Sequence, residues 1–186
     1  SGLLPEAAGL FGVSLGNCAR LPALPHMLRR GRLAKHLGQS RCGSLLPLTR
    51  EVPEIQAASA IWLDRLVGSE GVDPGEAQLF AVAAEHGFTL LTGDKRALTA
   101  LRDIPDVATA LSGRVAVIEA VLLVLCDRNG VESVRTQVNA LSGLDTAIDV
   151  CFSPGNSDPR AGLVSYFAAI TDDVRPLVLW QPGSPQ

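Results

Sequence analysis

Aromatic side chains are scarce in this 186-residue chain, which has five Phe, two Trp and one Tyr, so platforms for stacking single-stranded bases are few. The four cysteines, Cys18, Cys42, Cys126 and Cys151, are scattered, with no C-x-x-C pair and no His at finger spacing. That excludes a finger-type zinc site and a small disulfide scaffold, and it points to a reduced, cytoplasmic protein. No apolar run reaches the roughly 20 residues that a bilayer demands. The longest, Val115 to Cys126, is interrupted by Glu119, so no transmembrane helix is expected. No G-x-G-x-x-G follows an apolar run, which excludes a Rossmann dinucleotide site. Charged residues make up only 19% of the chain against 47% hydrophobic ones, a balance that excludes disorder and predicts a folded core. The start, Ser1-Gly2-Leu3-Leu4, has neither an initiator Met nor the basic opening of a signal peptide, and reads as a processed end.

What charge there is lies unevenly. The net charge is -3, yet residues 7 to 50 carry seven Arg or Lys and no acid, while residues 51 to 186 carry nine bases and 18 acids. A cationic segment beside an acidic body suits an enzyme of polyanions, with bases to hold phosphates and carboxylates to hold metal. It equally describes a solvated helix face. The length fits one domain, residues 1–186.

From Phe88 onward, apolar runs at Phe88 to Leu91, Arg114 to Ile118 and Leu177 to Trp180 alternate with helical patterns. That alternation predicts an α/β protein with a mainly parallel sheet. Helical stripes are expected at Ile55, Ala58, Ile61, Trp62 and Leu66, and at Val131, Val134, Val138 and Leu141. Helix starts are marked at Asp73-Pro74-Gly75-Glu76, Asn129-Gly130-Val131-Glu132 and Asp158-Pro159, and stops at Gly68 and Gly87. Earlier in the chain, a basic helix from Pro25 to Leu37 and a short strand from Leu45 to Leu48 are expected.

In parallel sheets, ligands bind beyond the carboxyl ends of strands, which makes acids just after a strand informative. Asp94 follows Phe88-Thr89-Leu90-Leu91 through a Thr92-Gly93 turn, a place that also suits a helix N-cap. Glu76 opens the helix that feeds this strand and also completes a capping box with Asp73. Glu51 and Glu54 follow the expected strand at Leu45 to Leu48. Carboxylates converging at one edge would bind Mg²⁺ or Mn²⁺, hard cations that take oxygen ligands. Arg29, Arg30, Arg32 and Lys35 form a cluster where RNA phosphates would bind, and Lys95 and Arg96 flank Asp94. Asp149, inside Ala147-Ile148-Asp149-Val150-Cys151-Phe152, is an acid in a strand-like run and is expected to be structural. His86 beside Gly87 is expected to close its helix.

The stretch Asp73-Pro74-Gly75-Glu76-Ala77 with Ala81, Ala83 and Ala84, followed by Gly87-Phe88-Thr89-Leu90-Leu91-Thr92-Gly93-Asp94-Lys95-Arg96-Ala97-Leu98, resembles the PIN-domain family of metal-dependent ribonucleases. Many of these are toxins of toxin-antitoxin pairs. The similarity spans about residues 45–125 and is sharpest over 73–98, with 126–186 a C-terminal extension. It implies a three-layer α/β/α fold with a mainly parallel sheet and hydrolysis of RNA phosphodiesters with Mg²⁺ or Mn²⁺. Glu76 and Asp94 match acidic metal-site positions of the motif, and Glu51 or Glu54 stands for the acid after the second strand. An antitoxin protein and a homodimer are implied as partners. The family also opens with a hydrophobic strand ending in Asp, which nothing before Glu51 provides. Either that strand precedes Ser1, or this member lacks it and binds RNA or a protein without cleaving. A haloacid-dehalogenase phosphatase, suggested by Gly93-Asp94 and Asp103, lacks the Asp-x-Asp strand end.

Overall fold

Helix starts and stops written into the chain set most of the architecture. The computed structural model describes residues 3–139, 143 and 145–183, apart from the side chain of Arg32. The N-terminal part contains α1 (Leu3–Leu10), α2 (Leu24–Arg29), α3 (Arg32–Leu37), α4 (Gln39–Leu45), α5 (Leu48–Glu51) and α6 (Ala60–Leu66). There follow α7 (Pro74–His86), β1 (Leu90–Thr92), α8 (Lys95–Ala100), α9 (Pro105–Leu111) and β2 (Val115–Val117). The rest comprises α10 (Ile118–Asn129), α11 (Val131–Asn139), α12 (Thr146–Cys151) and α13 (Pro159–Asp173).

The helix α7 shows the local rules at work. Glu76 N–H donates to Asp73 Oδ1 at 2.8 Å and Asp73 N–H donates to Glu76 Oε2 at 2.7 Å, so the capping box forms and satisfies two free amides. Pro74 takes a first-turn position where its missing N–H costs nothing. Gly87 ends the helix at φ 69°, a left-handed conformation that penalises any Cβ. Between these ends Ala77, Phe80, Ala81 and Ala84 form the buried stripe. Gly75 is small for a packing reason, since a Cβ there would stand 3.0 Å from Leu21 Cδ1.

At the centre lies α10, apolar on nearly every face, with α1, α11 and α13 packed around it. Beside it β1 and β2 pair in parallel, with Leu90 opposite Val115, Leu91 opposite Ala116 and Thr92 opposite Val117. Leu179 bridges Val115 in parallel, where Trp180 N–H donates to Val115 O at 2.8 Å. Val115, Leu179, Leu98, Leu111 and Leu163 are fully buried in one core.

Several expectations are corrected. The three-layer α/β/α fold with a mainly parallel sheet does not form: the described residues are mostly helical, with two strands of three residues each. Strand pairing was expected at four runs, but only those before Asp94 and Glu119 make a ladder. The third, Leu177 to Trp180, contributes a single bridge. The fourth, Leu45 to Leu48, is the end of α4 and the start of α5, with Pro47 in helical backbone at φ -58° and ψ -42°. Proline cannot donate to a ladder, and a run this short can be buried equally well by helices. The basic helix from Pro25 to Leu37 is broken into α2 and α3 by Gly31 at φ 98°. The stripe from Ile55 starts late, because helix begins only at Ala60, and Ile61 is 67% exposed. The strand-like run around Asp149 is α12, and Asp149 Oδ2 accepts from Gly143 N–H at 2.8 Å. Leu141 lies outside the described residues. No helix among the described residues is long and apolar enough to cross a membrane.

Helix α13 meets α12 at Gly162, where a Cβ would stand 2.8 Å from Cys151 Sγ. Gly162→Ala is expected to destabilise the protein by about 1–3 kcal/mol through overpacking. Gly9→Ala, with nothing within 4 Å of the added Cβ, is expected to stabilise it by roughly 0.4–1 kcal/mol. Thermal unfolding of both variants followed by circular dichroism checks the opposite signs.

Candidate functional site

Because β1 and β2 are parallel, their carboxyl ends open on the same edge, and each is followed at once by a helix. The turn after β1 delivers Gly93 and Asp94 and leads into Lys95; β2 runs directly into α10, whose first turn carries Glu119. Asp94 is the N-cap of α8, accepting the Ala97 N–H at 3.0 Å on Oδ1, while its own N–H donates to Thr92 Oγ1 at 3.1 Å. Its Oδ2 lies 3.8 Å from Arg96 Nη2.

Glu76, half-buried at the start of α7, reaches the same place, close enough to Asp94 for each carboxyl to shift the other's protonation. For Glu76, burial first and then the neighbouring Asp94 carboxyl push it up from an ordinary 4.5 to about 7, against the lowering effect of the Asp73 N–H. Asp94 is shifted the other way. Burial pushes its carboxyl up, but the Ala97 N–H, the neighbouring Glu76 carboxyl and the Arg96 guanidinium together hold it below the usual range.

Lys95 and Glu119 form the second half of the site. Glu119 is fully buried, and Lys95 Nζ stands 2.8 Å from its Oε1. The contact is one of charge, since neither Glu119 oxygen has a well-directed hydrogen bond. Lys95 Nζ also lies 5.6 Å from the centre of the Tyr166 ring on α13. Beside them opens a cleft of about 430 Å³, lined by Gly93, Asp94, Lys95, Asp145, Thr146 and Tyr166 among others.

The expected site residues therefore separate. Glu76, Asp94, Lys95 and Arg96 gather at the strand edge. Glu51, expected there as a ligand, is an exposed residue of α5. Glu54 is exposed too and pairs with Arg20 at 3.3 Å. Neither joins the pair: among the described residues no three His, Cys, Asp or Glu side chains are placed to hold a metal. The strand expected to carry these two acids to the edge is helical, and that removes the reason for their convergence. Arg29, Arg30 and Lys35 are exposed on or beside α2 and α3, which pack chiefly with each other and α4. The Arg32 side chain lies outside the described residues. Sequence reasoning missed Glu119, Asp145, Thr146 and Tyr166. Glu119 had a signal, as an acid interrupting the longest apolar stretch just after a strand; Tyr166, one residue of an ordinary helical pattern, had none.

Two neighbouring carboxyls offer oxygen donors from one side, and Mg²⁺ is commonly held by one or two carboxylates while keeping several waters.

A carboxyl whose value is raised on folding stabilises the native state fully below its unfolded value and loses that contribution as pH rises through the folded one. For Glu76 the window is therefore 4.5 to about 7. Asp94 acts oppositely, losing its contribution only as pH falls below the ordinary 3.8. In Asp94→Asn, the Glu76 carboxyl followed by ¹³C NMR is expected to titrate below 7 yet above 4.5, because burial is the larger cause of its shift. No change would remove Asp94 from its surroundings. No family model, no curated protein and no solved structure matches the chain.

Proposed function

We propose that the chain hydrolyses RNA phosphodiesters with a divalent cation, Mg²⁺ or Mn²⁺, held by Glu76 and Asp94. The observation that carries this reading is the closeness of those two carboxyls, each a helix-start residue, at the carboxyl end of β1. It occurs in the stretch of sequence that resembles the PIN-domain ribonucleases. Bound there, a cation would activate a water and neutralise charge developing on the scissile phosphate. Asp94 stays ionised under the influence of Ala97, Glu76 and Arg96 and so is the steadier donor. Glu76 gives up its proton to serve as the second. Arg96 and Lys95 flank the pair and supply positive charge for the phosphate backbone. The cationic cluster at Arg29, Arg30, Arg32 and Lys35 adds attraction for a longer strand. Four free cysteines agree with a cytoplasmic setting. An antitoxin protein and a second copy of the chain are the partners the resemblance implies.

A second reading is a domain that binds RNA or a protein without cleaving. It is favoured by one observation: Glu51 and Glu54 lie away from the pair, and among the described residues no third acid joins Glu76 and Asp94 to hold a cation.

Both functional carboxyls are also helix caps, and the test can separate the two roles. Glutamine at 76 still completes a capping box and asparagine at 94 still caps. Glu76→Gln and Asp94→Asn are thus expected to keep the fold while weakening Mn²⁺ binding in calorimetry by more than about tenfold. RNA cleavage by the parent, lost in both variants, is the expected result. Mn²⁺ affinity unchanged in both variants would overturn the cation site, and RNA bound but never cut with Mn²⁺ present would establish the second reading.

A further inference from the structure

Glu119 is the one fully buried acid among the described residues, and it sits at the start of the helix that forms the core. A carboxylate in that position must be answered by charge or stay protonated. The answer comes from Lys95, the residue next to Asp94, at 2.8 Å. The lysine is not sealed in with its partner: its side chain is 39% exposed and lines the cleft with Thr146 and Tyr166. An ammonium has three N–H donors. One side of it faces Glu119 Oε1 and another lies toward the Tyr166 ring, which leaves donor capacity on the side of the cleft.

The choice of lysine here is informative. Of the 16 Lys and Arg residues in the chain only two, Lys35 and Lys95, are lysines. Apart from Lys35, the chain meets its need for positive charge elsewhere with arginine, but a planar guanidinium would spend its fork on the carboxylate. A compact ammonium can touch Glu119 and still present donors in another direction.

We propose that Glu119 is a positioning residue for RNA: it holds the Lys95 ammonium in the cleft wall beside Asp94, where the remaining N–H donors meet a phosphate oxygen of the strand. The inference rests on the RNA reading given above and adds to it a residue that touches neither cation nor substrate. A buried pair serving stability alone would have no need to open one partner onto the cleft next to the carboxyl pair.

With two lysines in the chain, ¹³C-lysine labelling gives NMR signals from Lys35 and Lys95 only. In the parent, the Lys95 Cε signal is expected to be displaced from that of the exposed Lys35 and to move when a short single-stranded RNA is added. In Glu119→Gln it is expected to collapse toward the Lys35 position. Fluorescence anisotropy with the same RNA should show Lys95→Met and Glu119→Gln each weakening binding by about tenfold, the value of one charged hydrogen bond. In the Lys95→Met background, Glu119→Gln should cost nothing further, whereas a merely structural role would cost the same in both backgrounds. That double variant buries no charge and keeps the comparison open if Glu119→Gln alone folds poorly. A Lys95 signal coincident with that of Lys35 in the parent, or equal losses in both backgrounds, overturns the proposal. A parent that binds no RNA overturns the ribonuclease reading and the phosphate partner with it, while the Lys95 signal in Glu119→Gln still decides whether Glu119 holds the lysine.

Discussion

A carboxylate shut away from water has to find a cation within reach, and Glu119 finds Lys95 at 2.8 Å. Since Glu119 lies in the first turn of α10 and Lys95 begins α8, that requirement ties together the two helices that leave the parallel strands. Asp94, between β1 and Lys95, is placed by the same tie. Breaking such a pair from one side typically costs about 3–5 kcal/mol, whereas replacing both partners with apolar groups is often neutral. What the pair contributes is therefore geometry more than net stability. The start of α8 cannot drift from the start of α10 without exposing an unanswered charge in the core.

The same edge shows why capping and function need not compete. An N-cap puts a side-chain oxygen at the first turn of a helix, and in a strand-to-helix connection that turn is where the strand ends. Asp94 uses Oδ1 for the Ala97 N–H and keeps Oδ2 toward Arg96. Glu76 serves Asp73 through Oε2 and still meets Asp94. Each carboxyl has two oxygens and several lone pairs, so a helix start can be satisfied and a pair assembled with the same residues.

What could be read from the sequence was local. The capping box at Asp73 and Glu76, the stop at Gly87 and the cap at Asp158 depend on neighbours within a few residues, and all form. The runs before Asp94 and Glu119 were legible as strands, although the first forms over Leu90–Thr92, shifted toward the turn. The extent of the sheet was not legible, because a strand exists only through a partner that sequence does not name. Leu45 to Leu48 had the composition of a strand and found helices to pack on instead. Glu51 and Glu54 were placed by that missing strand and fell with it. For the site, Glu76 and Asp94 were legible because motif and position agreed. Glu119 was visible but mute, since its meaning depends on Lys95, which is 24 positions away in the chain and adjacent only in the fold.

The contact between Val115 and Leu179 joins residues more than sixty positions apart. Leu177, Leu179 and Trp180 are all buried in the same core as β2 and α10. During synthesis, then, the hydrophobic faces of β2 and α10 are made long before the segment that covers them. Closing so long a loop is entropically slow, and its reward comes only at the end. Until Trp180 clears the ribosome, the nascent chain carries an open apolar seam beside its central helix, which makes the interval before closure the one in which it most needs shielding from other chains.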